Sequence, residues 1–404
     1  MIDTLKFSVF DAIKLQKQER DQILSKSYIN RAGINEARKS LDSNLIKVII
    51  GPRRAGKSIF GFLLLKDTNF AYLNFDDEKL LKIIDFDKLL SMLSLVYPNF
   101  KYVFFDEIQN LPNWEILINK MQRRGFNIIL TGSNSKLLSG ELASSLTGRY
   151  SLISIFPLSF EEVKNYKNDY KFTDYLMSGG YPEVIINNLD PRSYLKTLFE
   201  AILFKDVTKR YNLRHPQKIY ELASYLLTNF ASVYSFHNLK DVVDLSSVAT
   251  TQKYVGLLEQ TFLFFSLNKF DFKLKKQFGY HKKIYSVDNG MVSSVGFQNS
   301  ENLGRLLENA FFGKLIRLGL VPNKDLFYYK TKSGKEVDFV IRNGIKIEKL
   351  IQVSLSLSDT KTKKREISSL LEASKELKCE NLEIITLDEN GIEGNIKVVG
   401  FENL

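Results

Sequence analysis

Short apolar runs alternate with amphipathic stretches along the first part of the chain. Residues 5–41 mix charged and apolar positions at helical spacing. Five runs that are apolar on both faces then follow, at residues 47–50, 69–74, 102–105, 127–131 and 151–156. Strands of a parallel sheet have this pattern when helices cover both faces of the sheet. The sequence therefore predicts an α/β domain built on a parallel sheet.

The pattern changes beyond these runs. Ser159 and Glu162 have the spacing of a capping box, which predicts the start of a helix. Residues 172–260 show helical periodicity and contain no convincing strand, and the apolar run 261–267 leads into a lysine-rich segment. From about residue 300 the pattern predicts a helix, strands, a helix and a strand. We therefore predict three domains, at residues 1–165, 166–295 and 296–404.

Charge and cysteine content narrow the range of partners and sites. The 404-residue chain has a formal net charge of +11 and a pI near 9.3. This balance favours a polyanionic partner such as nucleic acid, or an anionic membrane surface, although in many lysine-rich chains the charge serves only solubility. Cys379 is the sole cysteine, which excludes an internal disulfide and a cysteine-based zinc site. No apolar run approaches the roughly 20 residues of a membrane span, so we expect a cytoplasmic protein.

The segment Gly51–Ser58 matches the phosphate-binding pattern G-x-x-x-x-G-K-[ST], between a predicted strand and a predicted helix. Its glycines let backbone amides turn inward around phosphates, and the helix start adds a partial positive charge. Lys57 is expected to contact the β- and γ-phosphates, and Ser58 to bind Mg²⁺. The predicted nucleotide-contacting residues are Gly51, Pro52, Arg53, Arg54, Ala55, Gly56, Lys57, Ser58 and Ile59.

Acidic and polar residues at the ends of later strands complete the predicted catalytic site. Asp106 follows a buried strand and is expected to hold Mg²⁺, while Glu107 orients the attacking water or accepts its proton. Ser133 and Asn134 close a further strand, where they form either a γ-phosphate sensor or an ordinary turn. Arg149 is either a surface residue or a contact to the γ-phosphate in the same or a neighbouring subunit.

A competing pattern points to guanine nucleotides. Asn268–Asp271 matches the N-K-x-D pattern of GTPases, but it lies 211 positions after Lys57 (57 to 268), across a largely helical region. Asp106–Gln109 also lacks the glycine of a D-x-x-G switch, and no segment resembles the H-R-D and D-F-G motifs of protein kinases. The predicted ligands are therefore ATP and Mg²⁺, with ADP as the product.

Several motifs occur in an order that resembles the archaeal-type ATPases of the AAA superfamily. They are Gly51–Ser58, Phe104–Glu107, Thr131–Asn134, Gly148–Arg149, Phe156–Glu161, Ser178–Glu183, Lys283–Gly290 and Lys335–Phe339. The resemblance covers nearly the whole chain from residue 40 onward. It implies an AAA-type sheet, a winged-helix middle domain and a C-terminal α/β domain related to restriction-endonuclease-like nucleases. Relatives in this superfamily often assemble, so a homo-oligomer is a further expectation.

The middle region has the pattern of a helix-turn-helix. Residues 235–254 predict two helices with a turn at Leu245 and Ser246. The side chains expected to face one way in the first helix are Leu239, Val242 and Val243. Those expected to face a DNA groove are Thr250, Thr251, Gln252 and Lys253. Residues 261–267 would form a wing together with Lys273, Lys275 and Lys276, and the domain serves either DNA contact or protein contact.

The implied nuclease-like domain departs from the pattern of active enzymes. Such enzymes hold Mg²⁺ with acidic groups and use a nearby lysine to stabilise negative charge. The candidate ligands of this second metal are Glu308, Asp338 and Gln352. Ser354 stands where the lysine is expected, although Lys346 and Lys349 lie close in sequence. We therefore predict a degenerate domain that binds nucleic acid or is structural, with Lys361–Arg365 as a phosphate-contacting patch or a solvated face.

These observations together predict ATP binding and Mg²⁺-dependent hydrolysis, coupled to a conformational change in a DNA-associated process. Two alternatives belong to other functional classes. One is a nucleotide-gated DNA-binding switch with little turnover, and the other is a metal-dependent DNA nuclease.

Overall fold

The computed structural model describes residues 8–83, 85–133, 146, 148–279, 281–296 and 302–404. The chain forms two compact units, Met1–Leu158 and Ser159–Leu404. Within the described ranges, none of the helices combines the length and the hydropathy needed to cross a membrane.

The first unit contains the predicted parallel sheet. Its strands are β1 (Ile46–Ile50), β2 (Phe70–Asn74), β3 (Tyr102–Asp106), β4 (Asn127–Gly132) and β5 (Tyr150–Ser154). All neighbouring strands are parallel, in the order β2-β3-β4-β1-β5. Strand β1 therefore lies inside the sheet, beside β4. The carboxyl ends of β1, β3 and β4 consequently meet at one edge.

Helices surround this sheet. They are α1 (Val9–Leu24), α2 (Ile34–Lys39), α3 (Lys57–Leu65), α4 (Phe86–Val96) and α5 (Trp114–Arg123), with short 3₁₀ turns at Leu80–Lys82 and Ile108–Asn110. Helix α3 packs closely on β3, because the ring centroids of Phe62 and Phe104 are 5.2 Å apart. A Cβ added at Gly61 would lie 2.4 Å from the Phe104 ring, so this glycine permits the close approach.

The second unit begins with helices. They are α6 (Phe160–Tyr166), α7 (Phe172–Ser178), α8 (Pro182–Asn187), α9 (Pro191–Ala201) and α10 (Pro216–Thr228), and a π-helical stretch (Ile202–Lys209) follows α9. Helix α6 starts with the predicted capping box. The Ser159 side chain accepts from the backbone N–H of Glu162, whose carboxylate accepts from the backbone N–H of Ser159.

Helices and a small antiparallel sheet make up the middle of the chain. The elements are β6 (Ser232–Tyr234), α11 (Phe236–Val243), α12 (Val248–Gln260), β7 (Phe264–Asn268), α13 (Leu274–Gly279), β8 (Lys282–Ser286) and α14 (Asn289–Val295). The strand order is β6-β8-β7, and both pairs are antiparallel. The two helices predicted for residues 235–254 are present as α11 and α12.

Three details of this region differ from the sequence predictions. Strand β6 lies inside the range for which no strand was predicted, and three residues are too few to produce a readable alternation. Val242 is exposed rather than aligned with Leu239 on the buried face. Thr251 is fully buried rather than groove-facing, because its hydroxyl donates to the backbone carbonyl of Ser247 one turn earlier.

The last part of the chain folds around a six-stranded mixed sheet. Its elements are α15 (Leu303–Arg317), β9 (Leu326–Lys330), β10 (Glu336–Asn343), β11 (Lys346–Val353), α16 (Thr360–Leu377), β12 (Leu382–Thr386), β13 (Gly391–Glu393) and β14 (Ile396–Gly400). The order is β13-β14-β12-β11-β10-β9, and β12 runs parallel to both of its neighbours. Three strands follow α16 where the sequence predicted one.

Candidate functional site

The loop between β1 and α3 has the shape of a phosphate cradle. Gly51 and Gly56 both have positive φ, at 147° and 94°, and Arg54 has a φ of 65°. A Cβ at Gly51 would lie 1.9 Å from the backbone oxygen of Ile155, so only glycine fits there. The loop ends where α3 begins at Lys57. Backbone amides at this helix start suit the binding of phosphate oxygens.

Lys57 connects the loop with the acidic end of β3. Its side chain is almost fully buried, and its Nζ donates to the backbone oxygen of Pro52 at 3.0 Å. The same Nζ lies 4.0 Å from Oε1 of Glu107. A lysine in this position is close to the loop amides and to the acidic pair at once. The fold therefore brings together the two sequence segments from which we predicted a nucleotide site.

Asp106 lies at the carboxyl end of β3 and is buried. Its carboxylate accepts hydrogen bonds from the hydroxyls of Tyr72, at 3.3 Å, of Thr131 and of Ser58. Burial, together with the neighbouring charge of Glu107, raises the pKa of Asp106 to about 6. A cation beside this carboxylate would relieve the cost of its burial. Carboxylate and hydroxyl oxygens are the donors that Mg²⁺ prefers, so Ser58 and Asp106 fit this ion.

Glu107 is held in a fixed orientation next to Asp106. Its backbone N–H donates to Thr131 Oγ1 at 2.9 Å, and its Oε2 accepts from Ser133 Oγ at 3.1 Å and from the side-chain amide of Gln109. Burial alone would raise the pKa of Glu107, but the charge of Lys57 and these hydrogen bonds lower it below its ordinary value. The carboxylate therefore stays ionised and can orient or deprotonate a water molecule.

Three contributors to this site were not indicated by the sequence, namely Tyr72, Thr131 and Gln109. Thr131 belongs to a motif of the resemblance but has no predicted role, and Gln109 enters the sequence analysis only because it stands where a D-x-x-G switch has its glycine. Of the two sensor candidates, Ser133 contacts Glu107, whereas Asn134 lies outside the described residues. Ile59 lies in the first turn of α3, directly after the phosphate-binding loop.

Arg149 lies on the side of the sheet where the strands begin, opposite their carboxyl ends. It precedes β5, and its backbone oxygen accepts from the N–H of Ile46 at the start of β1. The phosphate-binding loop follows the opposite end of β1, about 16 Å away at 3.3 Å per residue. A contact between Arg149 and a nucleotide in the same subunit is therefore wrong as a prediction. A contact to a neighbouring subunit stays a prediction, since the side chain is exposed.

The predicted second site contains a lysine that the sequence did not indicate. Lys283, on β8, is buried, and its Nζ lies 2.8 Å from carboxylate oxygens of Glu308, Glu336 and Asp338. The Tyr285 hydroxyl donates to Glu308 at 2.6 Å. Glu308 and Asp338 are thus brought together as predicted, but around an ammonium group. Among the described residues, no group of His, Cys, Asp and Glu is arranged to hold a metal ion.

Gln352 does not act as the third ligand in this arrangement. Its side-chain oxygen accepts from the backbone N–H of Asp338 at 2.8 Å, and its amide donates to Glu366. The predicted metal contact of Gln352 is therefore wrong, because both ends of its amide are engaged elsewhere. Ser354 donates to the backbone oxygen of Ser356 and carries no charge.

Lys346 and Lys349, which lie near Ser354 in the sequence, have other surroundings in the structure. Lys349 pairs with Glu383 at 3.1 Å, and exposed Lys346 begins β11, at the end of the strand remote from Gln352. Neither of these two lysines therefore takes the place of the lysine that is missing at Ser354. In the 361–365 segment, Lys363 contacts Glu393 at 2.6 Å, and the exposed Arg365 contacts Glu366.

Comparison with known sequences places this chain in a family. A family described as an AAA domain matches residues 43–164, and two described as domains of unknown function, DUF8612 and DUF4143, match residues 169–302 and 303–403. Uncharacterized protein MJ1544 of Methanocaldococcus jannaschii is 36% identical in an alignment of 378 positions that covers 87% of this chain and 84% of the relative. The chain belongs to the family of that protein. An uncharacterized protein of Haemophilus influenzae is 29% identical over 353 residues, covering 80% of this chain and 86% of its own.

Residues 43–164 of this family member therefore form an AAA-type ATPase domain with a five-stranded parallel sheet. Among solved structures, the Walker-type ATPase PABY2304 of Pyrococcus abyssi is similar over 66% of this chain and 96% of its own, at 14% identity and a TM-score of 0.44.

Two of the later motifs form one structural unit within the 169–302 match. Asp288 accepts hydrogen bonds from the backbone N–H groups of Gly180, at 2.7 Å, and Gly290, at 2.9 Å. A Cβ at Gly179 would lie 1.9 Å from Asp288 Oδ1, which explains the first glycine of the Ser178–Glu183 motif. Burial raises the pKa of Asp288 to about 6. These motifs therefore have a role in packing in this chain.

Proposed function

We propose that this protein binds ATP together with Mg²⁺ and hydrolyses it to ADP. The observation that carries the proposal is the position of the Lys57 ammonium, 4.0 Å from Glu107 and 3.0 Å from the phosphate-binding loop. The ordered Asp106–Glu107 pair supports the same reaction, because phosphoryl transfer needs charge neutralisation and an oriented water molecule. The AAA-type domain match over residues 43–164 supports the reaction class.

Each residue has a distinct task in this proposal. The loop amides and Lys57 bind the β- and γ-phosphates and withdraw charge from the bond that breaks. Ser58 and Asp106 would hold Mg²⁺, which neutralises the phosphate oxygens when it is bound. Glu107 accepts a hydrogen bond from the attacking water and takes up its proton. Gln109 and Ser133 keep this carboxylate oriented.

We further propose that turnover is coupled to a conformational change and to DNA binding. The order α10, β6, α11, α12, β7, β8 supports a winged helix, in which α12 would enter a DNA groove. Gln252 and Lys253 are exposed on α12, and Lys273, Lys275 and Lys276 are exposed between β7 and β8. The order α15, β9, β10, β11, α16, β12 supports the restriction-endonuclease-like assignment of the last part of the chain.

Single-turnover kinetics test the ATPase proposal. We expect Lys57→Ala to lose ATP binding, and Glu107→Gln to bind ATP with near-normal affinity but to hydrolyse it at least about a hundredfold more slowly. Lys66→Ala is the matched control, because Lys66 is exposed at the end of α3 and its loss should change neither quantity.

Two results would argue against hydrolysis as the function. Equal, negligible turnover in wild type and Glu107→Gln, with ATP still bound, would leave a nucleotide-gated switch. Absence of ATP binding in the wild type, with Mg²⁺ present, would overturn the proposal entirely.

A further inference from the structure

The Lys283 ammonium lies in the middle of a carboxylate cluster that comprises Glu308, Glu336 and Asp338. It is 2.8 Å from an oxygen of each, and its own side chain is only 2% exposed. We infer that Lys283 is an internal replacement for a divalent cation, so that this cluster joins β8 to α15 and β10 and binds no metal. The inference does not depend on the proposed ATPase function.

The Lys283 ammonium supplies a counter-charge to the cluster without a metal. Burial opposes the charge on Lys283, but Asp338 and Glu308 outweigh it and raise the pKa of the lysine well above its ordinary value. Burial, with the nearby charge of Asp338, raises the pKa of Glu308, and the charge of Lys283 and its hydrogen bond oppose this rise. The ammonium therefore offsets the cost of burying these carboxyl groups together. A divalent ion added to this arrangement would meet a cation at close range.

Asp338 and Gln352 are also engaged in hydrogen bonds within the protein. One oxygen of Asp338 accepts from Lys283, and the other accepts from the backbone N–H of Val353 at 3.0 Å. The oxygen of Gln352 accepts from the backbone of Asp338, and its amide donates to Glu366. A metal would therefore have to break existing bonds as well as displace the ammonium.

The lysine comes from a part of the sequence that is distant from its partners. Lys283 and Asp338 are 55 positions apart, and Lys283 belongs to the 169–302 match, whereas Glu308 and Asp338 belong to the 303–403 match. Removing the lysine would leave the buried carboxylates without a counter-ion and open a space lined by oxygen atoms. Such a space is suited to a divalent cation. The absence of Lys283 should therefore create the metal site that its presence prevents.

Thermal unfolding of the full chain, without nucleotide, tests this exchange of cations. We expect Lys283→Ala to have a lower Tm than wild type, and millimolar Mn²⁺ to raise that Tm by about 5 °C. Mn²⁺ should leave the Tm of wild type nearly unchanged, and adding Asp338→Asn to Lys283→Ala should abolish the response. Lys349→Ala is the matched control, because that lysine pairs with a buried glutamate of the same sheet, Glu383, outside the cluster.

A second measurement decides the matter if Lys283→Ala does not fold. Electron paramagnetic resonance counts bound Mn²⁺ in wild type and in Glu308→Gln, an isosteric change that removes the carboxylate. We expect the same count in both proteins. A Mn²⁺ ion that is bound in wild type and absent in Glu308→Gln would overturn the inference. A folded Lys283→Ala protein whose Tm does not change with Mn²⁺ would also overturn it.

Discussion

The hydroxyl of Thr131 donates a hydrogen bond to the carboxylate of Asp106 on the neighbouring strand. The Oγ1 atom of Thr131 also accepts a hydrogen bond from the backbone N–H of Glu107 at 2.9 Å. One side chain at the end of β4 therefore holds both acidic residues at the end of β3. Because a hydroxyl has one proton and two lone pairs, this arrangement uses its donor and leaves one acceptor position open.

Replacing Thr131 with valine should reduce catalysis while preserving the fold. Valine has nearly the same shape but removes the bond to the buried carboxylate of Asp106 and the bond from the Glu107 backbone. A hydrogen bond to a charged group is worth about 1.5–3 kcal/mol, so we expect kcat to fall about ten- to hundredfold. Steady-state ATPase assays measure this, and Thr131→Ser should retain most of the activity. Equal rates for the valine and serine variants would show that the hydroxyl has no role in catalysis.

Gly51→Ala should destabilise the first unit and prevent nucleotide binding. The added Cβ would overlap the backbone oxygen of Ile155 at 1.9 Å, and φ is 147° there. We expect the free energy of unfolding to fall by about 3 kcal/mol or more. Gly125→Ala separates strain from overlap, because Gly125 has a φ of 83° and open space around it. Its cost should be about 1 kcal/mol, measured by urea denaturation.

Lys253→Glu should weaken DNA binding without changing ATP turnover in the absence of DNA. The lysine is exposed on α12, where reversing its charge would repel a phosphate. We expect duplex DNA to stimulate the wild-type ATPase, and the variant to need about tenfold more DNA for the same effect. The slope of log affinity against log salt should also fall by about 1. Lys196→Glu, an exposed change on α9, is the control, and identical DNA titrations for both variants would exclude α12 as the contact.

The phosphate-binding loop and the parallel sheet were predictable because their determinants are local. The determinants of the loop lie within eight consecutive residues, Gly51–Ser58. Over so short a segment, the φ angles and the start of the helix depend on neighbouring residues. The apolar runs predicted all five strands of this sheet. Burial on both faces gives β1 to β4 consecutive apolar positions, whereas β5, at the edge of the sheet, is only partly buried. Asp106 and Glu107 could be placed because the carboxyl ends of parallel strands meet at one edge.

The sequence alone therefore determined the loop, its sheet and the acidic pair beside it. Only the tertiary structure decided the partners that come from distant strands. Thr131 reaches the end of β3 because β3 and β4 pair in a particular register. That register depends on the pairing of the two strands and not on any local sequence pattern. In the sequence, Lys283 is not distinguished from the other lysines of a basic segment. In the folded protein it is buried among carboxylates from α15 and β10. Because charges interact through space, the spacing of residues along the chain does not predict this pairing.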